Sequence, residues 1–416
     1  MSDEAGKPRA STLALLRNRR FTELLAFRLC TIFSYQIVAV TVGWHIYKLT
    51  GDTFSLGLVG LAEVLPYLCV APFAGYLVDH LPRRRLGMAA SAALLLTALI
   101  LVAVALGLVP AKGTWPIYAA IVFTGAARSF LSPIYNAMFA RVMPREDYAR
   151  GAALGGIVFD VGTVLGPALG GLLVGFSGTP LAYAVACGFA GLAIVALALL
   201  RVEEPKPAIG GAPIFASIAE GARFVFSQQV MLGAMALDMF SVLLGGVVAM
   251  LPAFVHDILH YGPQGLGILR AAPAAGAIVM GLWLARHPPM RHAGRTLLYA
   301  VAGFGLCVIA FGLSRHFWLS FAILLAYGAC DAVSVVLRTT IMQLITPDEM
   351  RGRVSSINGI FISSSNELGA FYAGSMARLL GLIPAVIVGG FAILGVVGIT
   401  ATAAPKLRRL DLRELQ

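Results

Sequence analysis

Residues 125–171 read GAARSFLSPIYNAMFARVMPREDYARGAALGGIVFDVGTVLGPALGG, and residues 328–374 read GACDAVSVVLRTTIMQLITPDEMRGRVSSINGIFISSSNELGAFYAG. The second stretch repeats the first at an offset of 203. Gly125-Ala126 returns as Gly328-Ala329, Pro144 as Pro347, Glu146 as Glu349 and Arg150 as Arg353. Gly156-Ile157 returns as Gly359-Ile360, Gly166 as Gly369 and Gly171 as Gly374. A repeat near half the chain length, in an apolar chain, is the pattern of a transporter made of two parallel halves around a central site.

The rest of the chain fits that reading. Of its 416 residues 59% are hydrophobic and only 12% charged, against about 45–50% and 25% in soluble domains. The excess falls into twelve runs, 22–48, 55–78, 86–109, 116–140, 150–176, 180–200, 229–255, 264–285, 295–313, 317–343, 352–377 and 382–403. Each is long enough to cross a hydrocarbon core of about 30 Å. The expected organisation is an all-α membrane protein with twelve transmembrane helices in two parallel six-helix repeats. The N-terminal half is 1–200, the linker 201–228 and the C-terminal half with a basic tail 229–416. Within the linker, Ile214 to Ser227 reads as a surface helix with Phe215, Ile218, Ala222 and Val225 near one face.

Basic residues set the expected orientation. Lys and Arg number 24 at the N-terminus, in alternate connections and in the tail, and 4 on the other side (Lys48, Lys112, Arg315, Arg378). That bias puts both termini and the linker in the cytoplasm of a multi-pass inner-membrane protein. It accounts for the net charge of +11 without nucleic acid, since no basic groove with interleaved aromatics appears. No removable signal peptide is evident. The five cysteines lie inside apolar runs with neither a CxxC nor a Cys/His cluster, which suggests no disulfide framework and no metal. The seven histidines fall near loops or span ends and read as interfacial. Without a Gly-rich phosphate loop, transport is expected to draw on a gradient rather than on a nucleotide. No cofactor is implied, and the chain is expected to be a monomer.

Three features carry candidate function. Gly75-Tyr-Leu-Val-Asp79 followed by Arg83, Arg84 and Arg85 resembles the loop 2–3 signature of the major facilitator superfamily. By that resemblance Gly75 permits close helix contact, and Asp79 with the arginines makes a cytoplasmic charge lock. The bland reading, anchoring by three arginines, leaves the glycine and aspartate unexplained. The matching loop of the second half, Ala285 to Arg295, has no aspartate. The second feature is Gly162-Thr-Val-Leu-Gly166-Pro167-Ala-Leu-Gly170-Gly171. Small residues at i, i+4 and i+8 give a flat packing face, to which the proline adds a kink. The run resembles the superfamily's antiporter motif; ordinary small-residue packing is the alternative. The second half keeps Gly369 and Gly374 but has Ala370 in place of the proline.

The third feature is charge within spans, expensive in hydrocarbon and a functional candidate by default. The repeat sets Arg128 opposite Asp331. An offset of 210, which aligns Leu56-Gly57 with Leu266-Gly267, sets Arg28 opposite Asp238. Two cross-cavity Arg/Asp pairs are therefore expected, against the alternatives of static ion pairs and snorkelling side chains. Glu63, Asp160 and Glu367 are further candidate proton carriers.

Two segments look closer to one branch of the superfamily. Phe215 to Gln228 followed by Leu237-Asp238-Met239-Phe240, and Pro347 to Val354, resemble the branch that holds the enterobactin exporter with other siderophore and drug exporters. The resemblance implies a non-enzymatic, proton-coupled exporter of an amphipathic small molecule, working by alternating access in the bilayer. A lipid or lysolipid mover, or a non-transporting sensor or scaffold on the same fold, are the alternatives.

Overall fold

A computed structural model describes residues 12–109, 113–202, 214–287, 291–347 and 350–412. Among them fourteen helices run in chain order: α1 (Arg19–Thr50), α2 (Thr53–His80), α3 (Arg83–Ala105), α4 (Trp115–Val142), α5 (Tyr148–Leu199), α6 (Ile214–Ser227), α7 (Gln229–Leu244), α8 (Val247–Ala253), α9 (Pro263–Arg286), α10 (Ala293–Leu313), α11 (Phe317–Ile345), α12 (Arg351–Leu380), α13 (Leu382–Ala403) and α14 (Pro405–Arg408). Local chemistry sets the boundaries. Asn18 caps α1 by accepting from the Arg20 and Phe21 amides, and Gly51 ends it in a left-handed conformation, φ 61°. The Asp52 carboxylate then accepts from the Phe54 and Ser55 amides to start α2, so two spans turn back within a few residues.

Twelve spans result. α5 is two of them, joined where the backbone leaves the helix at Gly178, φ 80°. Gly381, 203 residues later, breaks the chain between α12 and α13 in the same way at φ 89°. A residue with a Cβ is strained at such φ, so the repeat extends past its matched stretch to this corner. Pro167 lies inside the first of the two α5 spans, where the backbone dihedrals stay helical. α7, α8 and the wider turn Phe254–Ile258 form one span interrupted at Gly245-Gly246. Gly246 lets the break lie against the backbone carbonyl of Gly369 on α12.

Ten helices qualify as spans on length and apolarity alone. Splitting α5 adds one and α12 adds the other. α12 is long enough but carries Ser355, Ser356, Asn358, Ser363, Ser364, Ser365, Asn366 and Glu367 in thirteen consecutive positions. Such a helix is stable in a bilayer only where other helices shield it, and α12 packs against α2, α7 and α13. The linker helix α6 has the expected bounds. Its Ala222 and Val225 pack against Met231, Met235, Val354 and Ile357; the side chains of Phe215 and Ile218, like residues 203–213, lie outside the described residues.

The first six spans meet the last six along two glycine crossings related by the repeat. Gly57 of α2 faces Gly374 of α12, where a Cβ on Gly374 would stand 2.8 Å from the Gly57 Cα. Gly267 of α9 faces Gly171 of α5, and a Cβ on Gly267 would stand 3.0 Å from the Ala168 carbonyl. Gly57 and Gly267 are related by the offset of 210, Gly171 and Gly374 by that of 203. All four glycines lie toward the face opposite the termini. On that side one apolar cluster joins the halves, including Ile37, Trp44, Leu56, Val174, Phe254 and Leu266. Toward the terminal face that cluster continues through the second half alone, to Leu407 and Leu412, and the other described buried residues form separate clusters, one in the first half around Phe21, Phe27, Ile134 and Leu197 and one in the second around Val225 and Val354. The halves are therefore closed on the face away from the termini and parted on the other.

Replacing Gly267 by leucine drives a side chain into the α5 backbone, at a cost on the order of 1–3 kcal/mol for overpacking. A cysteine placed at Gln36, in a background without the five native cysteines, is then expected to become reactive from the face away from the termini. Unchanged reactivity would show that the crossing is not what closes that face.

Candidate functional site between the halves

Two glycines position the central charges. Gly125 lets α4 lie directly on the α2 backbone at Glu63, and Gly60 lets α2 lie on the α12 backbone at Glu367, where its Cβ would stand 2.8 Å from the carbonyl. Arg128, one turn along from Gly125, therefore reaches both acids. Its Nη1 donates to the Glu63 carboxylate and lies 3.5 Å from Glu367 Oε1. The face of the Tyr35 ring on α1 covers the guanidinium, 4.8 Å from ring centre to Cζ. Arg270 of α9 lies within electrostatic reach of Glu367, Glu63 and Arg128, its Nη1 donating to the Ala39 carbonyl of α1 at 3.4 Å. Two cations and two anions, drawn from four helices of both halves, thus meet between the halves. Low effective dielectric strengthens such interactions and makes any unpaired member costly.

The expected Arg/Asp pairs do not form. Arg128 pairs with Glu63 and Glu367 instead of Asp331. Asp331 lies within the last six spans, lining a small pocket with Asp238, Ser241, Cys330 and Ser334. Asp238 pairs with Arg338 of α11, and both are almost fully buried, at 7% and 3% exposure. Arg28 stacks on Tyr135, 3.9 Å from the ring centre, with Phe159 at 5.3 Å. The repeat correctly shows which positions are equivalent, but equivalent positions in a two-fold arrangement need not touch. Asp160 is exposed on α5.

Arg338, one of the 24 basic residues that the charge bias assigns to connections and termini, is instead a buried partner inside α11. Removing it from the loop tally leaves the charge bias strong. Arg270 and Tyr35 also escaped selection. A signal for Tyr35 was present: Arg28 and Tyr35 on α1, and Arg128 and Tyr135 on α4, share a spacing of seven.

At the proposed lock, Gly75 has open space where a Cβ would point, so its expected close helix contact is absent in this conformation. The Asp79 side chain lies outside the described residues. Arg83 donates to the Val78 carbonyl at 3.1 Å and to the Ala137 carbonyl at 3.4 Å. Arg84 donates to the Leu197 carbonyl at 2.8 Å and to that of Ala198. Both thus cap the carboxyl ends of neighbouring helices, where cations are favoured. Arg85 is exposed. In the antiporter-like run, Gly162, Gly166 and Gly170 face α1 at Ile32, Gln36 and Ile37, whereas Gly171 faces α9. The run serves packing within one half and the crossing between halves at once.

On the face away from the termini, Tyr47 of α1 donates to the Asp257 carboxylate across the halves, and His256 lies 2.6 Å from the same carboxylate. The Trp44 and Tyr47 rings flank His256 edge-on.

Twelve spans in two repeat-related sets, parted on one face and closed on the other around buried charge, define a membrane transporter rather than an enzyme. The chain belongs to the Major Facilitator Superfamily, whose family model matches residues 24–370. Among curated relatives it is 26% identical to the multidrug efflux pump Tap of Mycolicibacterium fortuitum, over 90% of this chain and 93% of that one. It is 24% identical to the enterobactin exporter EntS of Citrobacter koseri, over 92% and 91%. Among solved structures its fold matches a bacterial homologue of the human lysosomal transporter Spinster, inward-facing and unoccupied, with TM-score 0.73 and 17% identity over 95% of this chain and 98% of that one. It also matches a D-xylose–proton symporter, with TM-score 0.73 and 12% identity over 94% and 99%.

Proposed function

We propose that this transporter is a proton-coupled exporter of amphipathic small molecules, siderophores or drug-like compounds, from the cytoplasm. The observation that carries the reading is the shared hold on Arg128: Glu63 belongs to its own half and Glu367 to the other. A proton on either carboxylate removes one anion from a site with two guanidinium groups, and so changes the attraction between the halves. That is the coupling an alternating-access antiporter needs: a titratable group whose charge state differs between conformations. The efflux pump and exporter among its relatives support the outward direction.

In this reading residues 1–200 and 229–416 are the two moving halves, 201–228 links them, and the terminal face lies in the cytoplasm under the positive-inside rule. Substrate enters from that side into the space lined by α1, α4, α7 and α11. Gly75, Asp79 and Arg83 to Arg85 close against their neighbours when the molecule turns outward, and the Gly162 to Gly171 face keeps the seam tight against leak. The protein works as a monomer.

The test uses proteoliposomes loaded with a fluorescent amphipathic dye under an imposed pH gradient. Glu63→Gln and Glu367→Gln are each expected to lose gradient-driven flux at least about tenfold, while retaining dye exchange without a gradient. Exchange tests the chemistry of binding and turning; the gradient tests coupling. Full gradient-driven flux in both variants would remove these acids from the coupling step.

A further inference from the structure

α1 and α4 run antiparallel and in contact, and each carries an arginine followed seven residues later by a tyrosine. Seven residues are two turns, so each pair shares one helix face, separated along it by about 10 Å. The result is a two-storey ladder. In the upper storey, nearer the face away from the termini, Arg128 of α4 lies on Tyr35 of α1. In the lower storey, nearer the terminal face, Arg28 of α1 lies on Tyr135 of α4. The storeys share cation and aromatic platform but not anions. Arg128 is met by Glu63 and Glu367. Arg28 makes no ion pair or hydrogen bond among the described residues, and Asp160 feels its charge without forming an ion pair with it.

The lower storey holds more unmet polarity. The Tyr135 hydroxyl is buried and without a hydrogen-bond partner. It lies against the bare α-carbon of Gly155 on α5, and a Cβ there would also stand 3.4 Å from Arg28 Nη1. Phe159, one turn on from Gly155, sits beside the guanidinium and is 41% exposed. A guanidinium held over a ring keeps its planar donor fork free for an oxyanion. It also lies on the side of the central cluster where the halves are parted.

We propose that Arg28, on its Tyr135 and Phe159 platform, is a substrate subsite for an organic anion, a carboxylate or similar oxyanion carried on an aromatic or apolar body. The upper storey shows what the ladder accepts, since there the protein supplies its own carboxylates. The lower storey leaves that place to the cargo, whose flat apolar part lies against exposed Phe159. The subsite rests on the export reading and narrows its substrate class to anions.

The probe pair is 2-naphthoate and its neutral isostere 2-naphthamide, titrated calorimetrically into the full chain in phosphatidylcholine nanodiscs. Neutral bilayers keep lipid anions from competing. The wild type is expected to bind naphthoate roughly tenfold or more tighter than naphthamide, the range of a charge-assisted hydrogen bond. Arg28→Gln is expected to reduce that ratio to about one, and Arg28→Lys, which keeps the cation without the planar fork, to leave it between the two. A wild-type ratio near one overturns the proposal without any variant, and so does an Arg28→Gln ratio equal to the wild type's. No gradient enters the measurement. A failure here therefore leaves proton-coupled export standing, and a failure of gradient-driven flux leaves the subsite standing.

Discussion

Replacing Arg128 by methionine is expected to abolish gradient-driven flux, to below about a hundredth of the wild-type rate, and to lower the stability of the solubilised protein. The guanidinium touches a carboxylate from each half, Glu63 and Glu367. Methionine has similar length and packs without strain, so the change removes charge rather than volume. What remains is two acids on facing helices that Gly60 and Gly125 hold close together. Removing one member of a buried ion pair costs about 3–5 kcal/mol. Partial exposure of Arg128 and Glu367, 30% and 23% of their side chains, puts this site at or below the lower end. The functional loss is larger than the loss of stability because the seam loses the ion pair that joins Arg128 to Glu367 across the halves. Arg128→Lys offers a point charge in place of the planar fork and satisfies one acid at a time, so it should keep stability and lose most coupling. The double variant Arg128→Met with Glu63→Gln should recover thermal stability toward the wild type while leaving flux absent. Flux above about a tenth of wild type in Arg128→Met would show that the cluster is scaffold and that protons move elsewhere.

The fold was legible because a membrane span is a one-dimensional signal. Length, apolarity and loop charge each require no knowledge of what touches what, and the expected bounds for α6 and α13 coincide with those observed. The repeat added the pairing of halves and, through Gly57, Gly171, Gly267 and Gly374, the seam itself. The site was legible only as a list. Glu63, Arg128 and Glu367 stand out because charge in hydrocarbon is rare, yet the partner expected for Arg128, Asp331, is not the one it meets. Sequence equivalence relates Arg128 to Asp331 by a rotation, and a rotation of about 180° places equivalent groups on opposite walls, not in contact. Contact depends instead on where glycine lets backbones approach, at Gly125 and Gly60, which a pattern of charges does not reveal. Arg338 was hidden for a different reason. Seven residues from the end of α11, it sits where an arginine ordinarily snorkels to the interface. Only its pairing with Asp238 on α7 shows that it turns inward.

That pair carries the other large expected effect. Asp238 and Arg338 join α7 to α11 inside one half, with 7% and 3% exposure, and neither touches the seam. Asp238→Leu or Arg338→Met alone should lower unfolding stability by about 3–5 kcal/mol, because each strands the opposite charge where neither water nor lipid can solvate it. The double variant Asp238→Leu with Arg338→Met should recover most of that loss. Arg338 already leaves its Nε buried without a partner, so an apolar replacement also removes an existing penalty. The predicted coupling between the two positions is therefore large and favourable, and denaturant unfolding of the four proteins in one detergent measures it. Transport separates this pair from the central cluster. If Asp238 and Arg338 are a brace within one half, the stable double variant keeps gradient-driven flux within about threefold of wild type. If it unfolds normally but loses flux, the pair takes part in the cycle, and Asp331 in the adjoining pocket becomes the next group to neutralise.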